Sequence, residues 1–366
     1  MHTQDLQNYS DLLLDYCLEV IPGSKLLVQS STLAEPLIYH LYQGALSRGA
    51  IMEFNLAIEG QESVFNQFAR KEAVNWVNPT YAMAVQEFDT YLYIRAPFFP
   101  SPHFILEKDL AVERRQALAP YQKIYSQRTG DRTLRRSLCQ YPTPASAAAA
   151  EMPIEEYENF VLNACFLNRN DPINEWKELS AIQRGIVEYL NGCKQIRYIN
   201  ARTDISFSVE GRTWINSDGR TNMPSGEVYS SPEEDSVNGH IFFDYPFLHD
   251  QQMVQGVSLT LEHGRVVQAI AEIGNDTLQE ILKTPGADYI GEVAIGANPN
   301  IQIPTKNILF DEKMAGTVHM ALGQSYLQCG GKNESSVHQD MIADMRDKGQ
   351  IWADGKLIYE SGKFLF

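Results

Sequence analysis

A chain of 366 residues exceeds the size, about 250–300 residues, at which a single hydrophobic core stops growing, so two domains are expected. Its hydrophobic content of 44% is that of an ordinary globular protein, and its formal net charge of −16 argues against nucleic acid or an anionic membrane as main partner, since both require a basic surface. No apolar run approaches the ~18 residues of a membrane span, and no basic-then-apolar leader opens the chain, so a cytoplasmic, soluble protein is expected. Five cysteines, Cys17, Cys139, Cys165, Cys193 and Cys329, are odd in number and form no Cys-x-x-Cys pair. They read as reduced, mostly buried thiols rather than a disulfide framework or a zinc knuckle.

In chain order, Leu6, Tyr9, Leu13, Tyr16, Cys17 and Val20 recur at helical spacing until Pro22-Gly23 stops them, and Leu26-Leu27-Val28 then reads as a strand. A helix from Leu33 to Leu46 and a strand from Ile51 to Leu56 repeat the pair. A helix near Glu62 to Val74, a strand at Tyr91 to Ile94 and a long helix from Leu110 to Tyr125 continue it, which predicts a parallel α/β sheet. No glycine-rich phosphate loop follows these strands, so the scaffold is expected to carry no nucleotide. The stretch from Glu113 to Arg136 holds seven basic residues against Glu113 and Asp131 and reads as a solvated helix face. After Pro142-Thr143-Pro144, helices are expected at Ala145–Ala150, Ile154–Phe166 and Pro172–Leu190, with Trp176, Leu179, Ile182, Ile186 and Val187 as core.

Beyond Asn191-Gly192 the period becomes two: Ile205, Phe207 and Val209 share one face, and Glu210-Gly211, Asp218-Gly219, His263-Gly264 and Asp354-Gly355 read as hairpin turns. The expected organisation is an N-terminal parallel α/β domain over 1–192 and a mostly antiparallel β-rich (α+β) domain over 193–366.

Chemistry-bearing residues gather late in the chain. Glu227 and Glu292 each sit in Gly-Glu-Val, His319 lies between Val318 and Met320, and His338-Gln339-Asp340 presents two donors on one face of an extended segment. Alone, either glutamate reads as a surface charge and His319 as a core histidine. Together, three carboxylates and two imidazoles suit two divalent ions, Zn²⁺, Co²⁺ or Mn²⁺, that share a water for hydrolysis. Alone, Tyr326 reads as a packing tyrosine; beside such ions, its phenol could donate a hydrogen bond to a developing oxyanion. His2, His40, His103, His240, His249 and His263 have no carboxylate partner in any motif and are expected in surface or turn roles. Neither a Gly-x-Ser-x-Gly elbow nor a His-Glu-x-x-His helix is present.

The segments Asn8 to Leu13, Tyr141 to Ala145, Thr203 to Val209, Gly211 to Val228, Gly291 to Ala294, His319 to Tyr326 and His338 to Asp340, spread over nearly the whole chain, resemble the aminopeptidase T / aminopeptidase S family of metallo-aminopeptidases. The resemblance implies a dimeric two-domain exopeptidase acting on peptides, with a dinuclear centre in the C-terminal domain. It implies Glu227, Glu292, His319, His338 and Asp340 as ligands and Tyr326 as the catalytic tyrosine; Glu292 is further expected to act in catalysis as the ligand that bridges the two ions. Leu309-Phe310-Asp311-Glu312 also resembles the family, with Glu312 two residues further from His319 than usual, which makes Glu312 an extra ligand or a neighbour of one. The loop between Tyr326 and His338 is shorter than the family's. Relatives of the family resemble ring-opening dioxygenases of dihydroxypyridines, which hold one Fe²⁺ through two histidines and an aspartate; that is the rival reading. An inert binding protein is the third.

Overall fold

The protein is described here by a computed structural model covering residues 1–100, 104–250 and 252–366; His103 lies outside the described residues. It divides into two compact units, Met1–Ile173 with Gly219–Pro224, and Asn174–Asp218 with Ser225–Phe366. The helix Pro172–Leu190 therefore belongs almost wholly with the second unit, which begins ahead of the composition change near residue 192.

The first unit is built on a five-stranded sheet in the order Ile51–Ala57, Lys25–Ser31, Thr90–Arg95, Arg135–Gln140 and Asn222–Met223, with every pairing parallel. Leu26, Leu27 and Val28 are fully buried, as expected of a central strand covered on both faces. The first helix is apolar on one side, with Leu6 and Tyr9 buried, and runs on as a widened turn through Leu12–Cys17. Two elements have too little periodicity to be found in the sequence: the helix Pro79–Glu87, capped by the Asn78 side chain, and the strand Arg135–Gln140. The helix packs Ala84, followed by Phe88, against Leu27, Tyr91 and Leu134. Of the seven basic residues, Arg114, Arg115, Lys123 and Arg128 lie on the helix Lys108–Gly130, which buries no residue, whereas Arg132 follows it and Arg135 and Arg136 open the strand Arg135–Gln140, so the solvated helix face covers only part of the stretch.

The second unit holds two mostly antiparallel sheets. The larger has nine strands and the smaller is ordered His338–Asp344, Thr317–Gly323, Ile290–Gly296, Glu227–Ser230 and Ile215–Ser217. Of the four expected hairpins, His263-Gly264 and Asp354-Gly355 join paired neighbours. Glu210-Gly211 instead carries the chain from one sheet to the other. Asp218-Gly219 opens the excursion to the first unit, after which Glu227–Ser230 pairs with Ile215–Ser217.

The helix Pro172–Leu190 corrects one expectation. Trp176, Leu179 and Ile186 are buried, but Ile182 is 64% exposed and Gln183 takes the inward position. A 3.6-residue period running inward through Trp176, Leu179 and Ser180 returns at Gln183, not Ile182. The Gln183 amide is accommodated because its Nε2 donates to Asn216 Oδ1 at 2.9 Å, Ser217 O at 3.1 Å and Glu227 O at 2.7 Å.

Candidate metal centre

Strand parity puts the polar residues of the smaller sheet on one face. Glu292 lies opposite Ala321, which lies opposite Asp340; His319 lies opposite Ala294, His338 opposite Gly323, and Glu227 opposite Gly296. Directly opposed residues of an antiparallel pair point the same way, so all five expected ligands share a face. Each has a glycine or alanine opposite it on one neighbouring strand, which leaves space for large polar side chains, while His319 has Ile342 and Glu227 has Ser217 on the other side. The intervening residues, Val228, Val293, Ile295, Val318, Met320, Leu322, Met341 and Ala343, belong to the apolar core. Burial of that face holds the register, because a one-residue slip would exchange ligands for core.

The glycines ahead of Glu227 and Glu292 serve a different purpose from close approach to an ion. A Cβ on Gly226, whose φ is +112°, would meet the Asn298 Cβ at 2.7 Å, and one on Gly291 would meet the carbonyl oxygens of Gln324 and Gly323 at 2.3 and 2.5 Å. They admit neighbouring backbone, and that packing aims the glutamates.

The donors form two trios, Glu227, Glu312 and His319, and Glu292, His338 and Asp340, with the donor atoms of each within 4.8 Å of one another. Glu292 touches both: its Oε1 is 3.6 Å from His319 Nε2 and its Oε2 2.9 Å from His338 Nε2. Glu227 Oε2 is 3.4 Å from His319 Nε2, and Asp340 Oδ1 is 3.4 Å from His338 Nε2. Those distances allow attraction, but Glu227 Oε2, Asp340 Oδ1 and both ring nitrogens of His319 have no aligned hydrogen-bond partner among the described residues. Buried polar atoms are costly when unpaired, and here they converge on positions that divalent ions would satisfy. His338 is oriented by the Gln324 carbonyl, 2.8 Å from its Nδ1, which fixes the ring and leaves Nε2 for the cluster, as for a metal-ligating histidine.

Glu312 follows the short helix Ile308–Asp311, whose N-terminus is capped by the Asn307 side chain, and its carboxylate joins Glu227 and His319. Lys313, which nothing in the sequence singled out, is wholly buried beside them, with its Nζ 3.1 Å from Glu227 Oε1 and in contact with Glu312 Oε1. A lysine in Asp-Glu-Lys reads as surface charge, and only tertiary burial marks it. Tyr326 packs its ring against Tyr229 and His338, each with centroids 5.1 Å away. Its hydroxyl is 3.4 Å from His338 Nε2. The Leu327–Cys329 turn begins the short loop. A cavity of about 470 Å³ beside it is lined by Pro285, Gln324, Leu327, Glu334, Ser335 and Ser336.

Within the cluster, the side chains hold their charges against one another. Burial opposes protonation of His338, but Asp340 and Glu292 outweigh it and push its pKa up to about 11. For His319 burial is likewise overcome, by Glu292, Glu227 and Asp340, and its pKa is raised. Burial would raise the pKa of Glu292 and of Asp340, yet their imidazole partners hold both below the ordinary carboxylate range. Tyr326 is raised far above an ordinary phenol, by burial first and then by Glu292, Asp340 and Glu227, so it is a hydrogen-bond donor at neutral pH.

The family model for thermophilic metalloproteases (M29) matches residues 2–364. Aminopeptidase 2 of Geobacillus stearothermophilus is 28% identical over 418 aligned positions that cover 99% of this chain and 98% of that protein. The alignment is longer than the chain, so the relative carries segments absent here. Among solved structures, wild-type AmpT from Thermus thermophilus superposes with a TM-score of 0.83 at 22% identity, covering 99% of both chains. The 2,5-dihydroxypyridine dioxygenase of Pseudomonas putida KT2440 superposes with a TM-score of 0.57 at 14% identity, covering 100% of this chain and 98% of that one. Both likenesses concern the fold.

Proposed function

The chain belongs to the thermophilic metalloprotease family M29, and on that premise we propose that it is an aminopeptidase that releases the N-terminal residue of peptides with the help of two divalent ions. The curated relative named as an aminopeptidase along its whole length supports the reaction. The observation that carries the two-ion reading is Glu292, whose two oxygens reach the histidines of separate donor trios. Glu227, Glu312 and His319 would hold one ion, and Glu292, His338 and Asp340 the other, with Glu292 shared between them. The mixed carboxylate and imidazole set suits Zn²⁺, Co²⁺ or Mn²⁺. What such ions supply is a water of lowered pKa and polarisation of the scissile carbonyl.

The chain's own groups do the rest. Tyr326, held protonated, donates to the oxyanion that develops on the peptide carbonyl, a contribution of roughly 3 kcal/mol for one good donor. Gln324 orients His338 through its backbone carbonyl, and the buried apolar face keeps the ligand strands in register. The cavity beside the short Tyr326–His338 loop offers room for the substrate's side chains. Five thiols, four buried and one half-buried, with no disulfide among the described residues, agree with a reducing, cytoplasmic setting, and a homodimer is expected from the family resemblance.

A single-ion dioxygenase needs two imidazoles and a carboxylate around one metal. In this chain His319 and His338 fall in different trios, which favours hydrolysis. The deciding assay reloads metal-stripped protein with Zn²⁺, Co²⁺, Mn²⁺ or Fe²⁺ and offers leucyl-anilide or, with O₂, 2,5-dihydroxypyridine. Amine release is the expected result. Absence of amine release with every ion would defeat the proposal, and ring opening with Fe²⁺ would replace it.

A further inference from the structure

Lys313 brings a positive charge into the cluster on a side chain that is not a donor of either trio. The chain fixes it at both ends: its amide donates to the Phe310 carbonyl at 3.0 Å and its carbonyl accepts from the Asn298 amide at 2.9 Å. The side chain is wholly buried, so its ammonium has no water to retreat to and is compensated by the carboxylates of Glu227 and Glu312. A buried ammonium persists only with such partners. Those partners are also two of the three donors of one trio. Glu227 illustrates the division: Oε1 faces Lys313 at 3.1 Å, while Oε2 faces His319 at 3.4 Å and has no aligned hydrogen-bond partner. Lys313 Nζ has no aligned hydrogen-bond partner among the described residues either, so it pairs with one oxygen by charge alone and leaves the other for an ion.

The two trios are alike in donors, each with two carboxylates and an imidazole, but not in charge. Beside Glu227, Glu312 and His319 stands Lys313; beside Glu292, His338 and Asp340 no lysine or arginine stands within ion-pairing distance among the described residues. The influence of Lys313 does reach Asp340, but it is smaller there than those of the two histidines. A dication entering the first trio meets a fixed positive charge in a site of low dielectric, where such repulsion is strong and little screened.

We propose that Lys313 makes the two half-sites unequal: it positions Glu227 and Glu312 as ligands and keeps the ion beside them weakly held. This rests on the two-ion reading above. The chain then takes up divalent ions in two steps, the Glu292–His338–Asp340 position filling first and the Lys313 side remaining exchangeable at ion concentrations that leave the other occupied. Partial metal loading would give a one-ion protein of defined geometry rather than a random mixture.

The test is titration of metal-free protein with Co²⁺, followed by the visible absorption of the bound ion and by competition with a chelator, with ion content measured by elemental analysis. Wild type is expected to bind two ions with constants separated by about tenfold or more. In Lys313→Met, an apolar side chain of similar length, the weaker step tightens by about tenfold or more, while the tighter step moves by less than about threefold. Lys313→Arg, which retains the charge, keeps the separation. A weaker step unchanged or further weakened in folded Lys313→Met overturns the inference and leaves Lys313 a structural ion pair. Should metal-free Lys313→Met not fold, Asp340→Asn decides: it must remove the tight step and leave the weak constant within about threefold of wild type, and loss of the weak step instead overturns the assignment. Wild type that binds no divalent ion at all sinks the two-ion reading itself, an outcome distinct from two ions of equal affinity, which sinks only the role of Lys313.

Discussion

Replacing Tyr326 with phenylalanine removes one oxygen from the site and little else. The ring is held by Tyr229 and His338, with centroids 5.1 Å from each, and phenylalanine keeps that packing. The hydroxyl's recorded partner is His338 Nε2 at 3.4 Å, a long contact whose loss costs under about 1 kcal/mol of stability. Catalysis should suffer far more. Burial and three carboxylates keep the phenol protonated, so it serves as an oxyanion donor, and deletion of one such donor costs about 10²–10³ in kcat, or roughly 3–4 kcal/mol. Loss of a donor used only in the transition state lowers kcat and kcat/KM together. The assay is steady-state hydrolysis of leucyl-anilide by fully loaded protein, with ion content measured on the same sample. An unchanged kcat would refute the donor role, and loss of an ion would make the tyrosine a ligand or a structural support.

Glu292→Gln should lower ion content from two toward one by elemental analysis; an unchanged count would remove Glu292 from the shared position. The raised pKa of His338, about 11 in the metal-free protein, carries two signs of pH dependence. Protonation stabilises the metal-free fold in full below about pH 6.5, and the gain is lost as pH rises toward 11, measurable by urea unfolding with chelator present. An ion must displace that proton, so affinity should rise by about tenfold per pH unit between pH 6 and 8 for one proton released; a flat profile would argue against His338 as a ligand. Gly291→Ala drives a Cβ to 2.3 Å from the Gln324 carbonyl, and should cost about 2–4 kcal/mol in chemical unfolding and misplace Glu292. Gln183→Met strips the donor from Asn216, Ser217 and Glu227 and should cost about 1–3 kcal/mol, whereas substitution of exposed Ile182 by glutamine should change stability by less than about 0.5 kcal/mol.

Local physics settles part of this protein from sequence alone. Apolar runs between helical periods determine a parallel sheet in the first half, and alternation determines antiparallel strands in the second, because burial on two faces or on one dictates those patterns. The parity of His338 and Asp340 on one strand is likewise legible, since side chains alternate regardless of what surrounds them. Which residues meet across strands is another matter. Glu227, Glu292 and His319 converge because three strands far apart in sequence pair in one register, with glycine or alanine opposite each of them, and register depends on burying the opposite face. The inward turn of Gln183 in place of Ile182, the switch of sheets at Glu210-Gly211 and the burial of Lys313 were also left to tertiary packing. An amide or ammonium is tolerated inside only when partners from distant segments arrive to pair with it. No local spacing announces those arrivals, and it was the tertiary structure that turned a lysine of surface appearance into the fixed charge at the centre of the site.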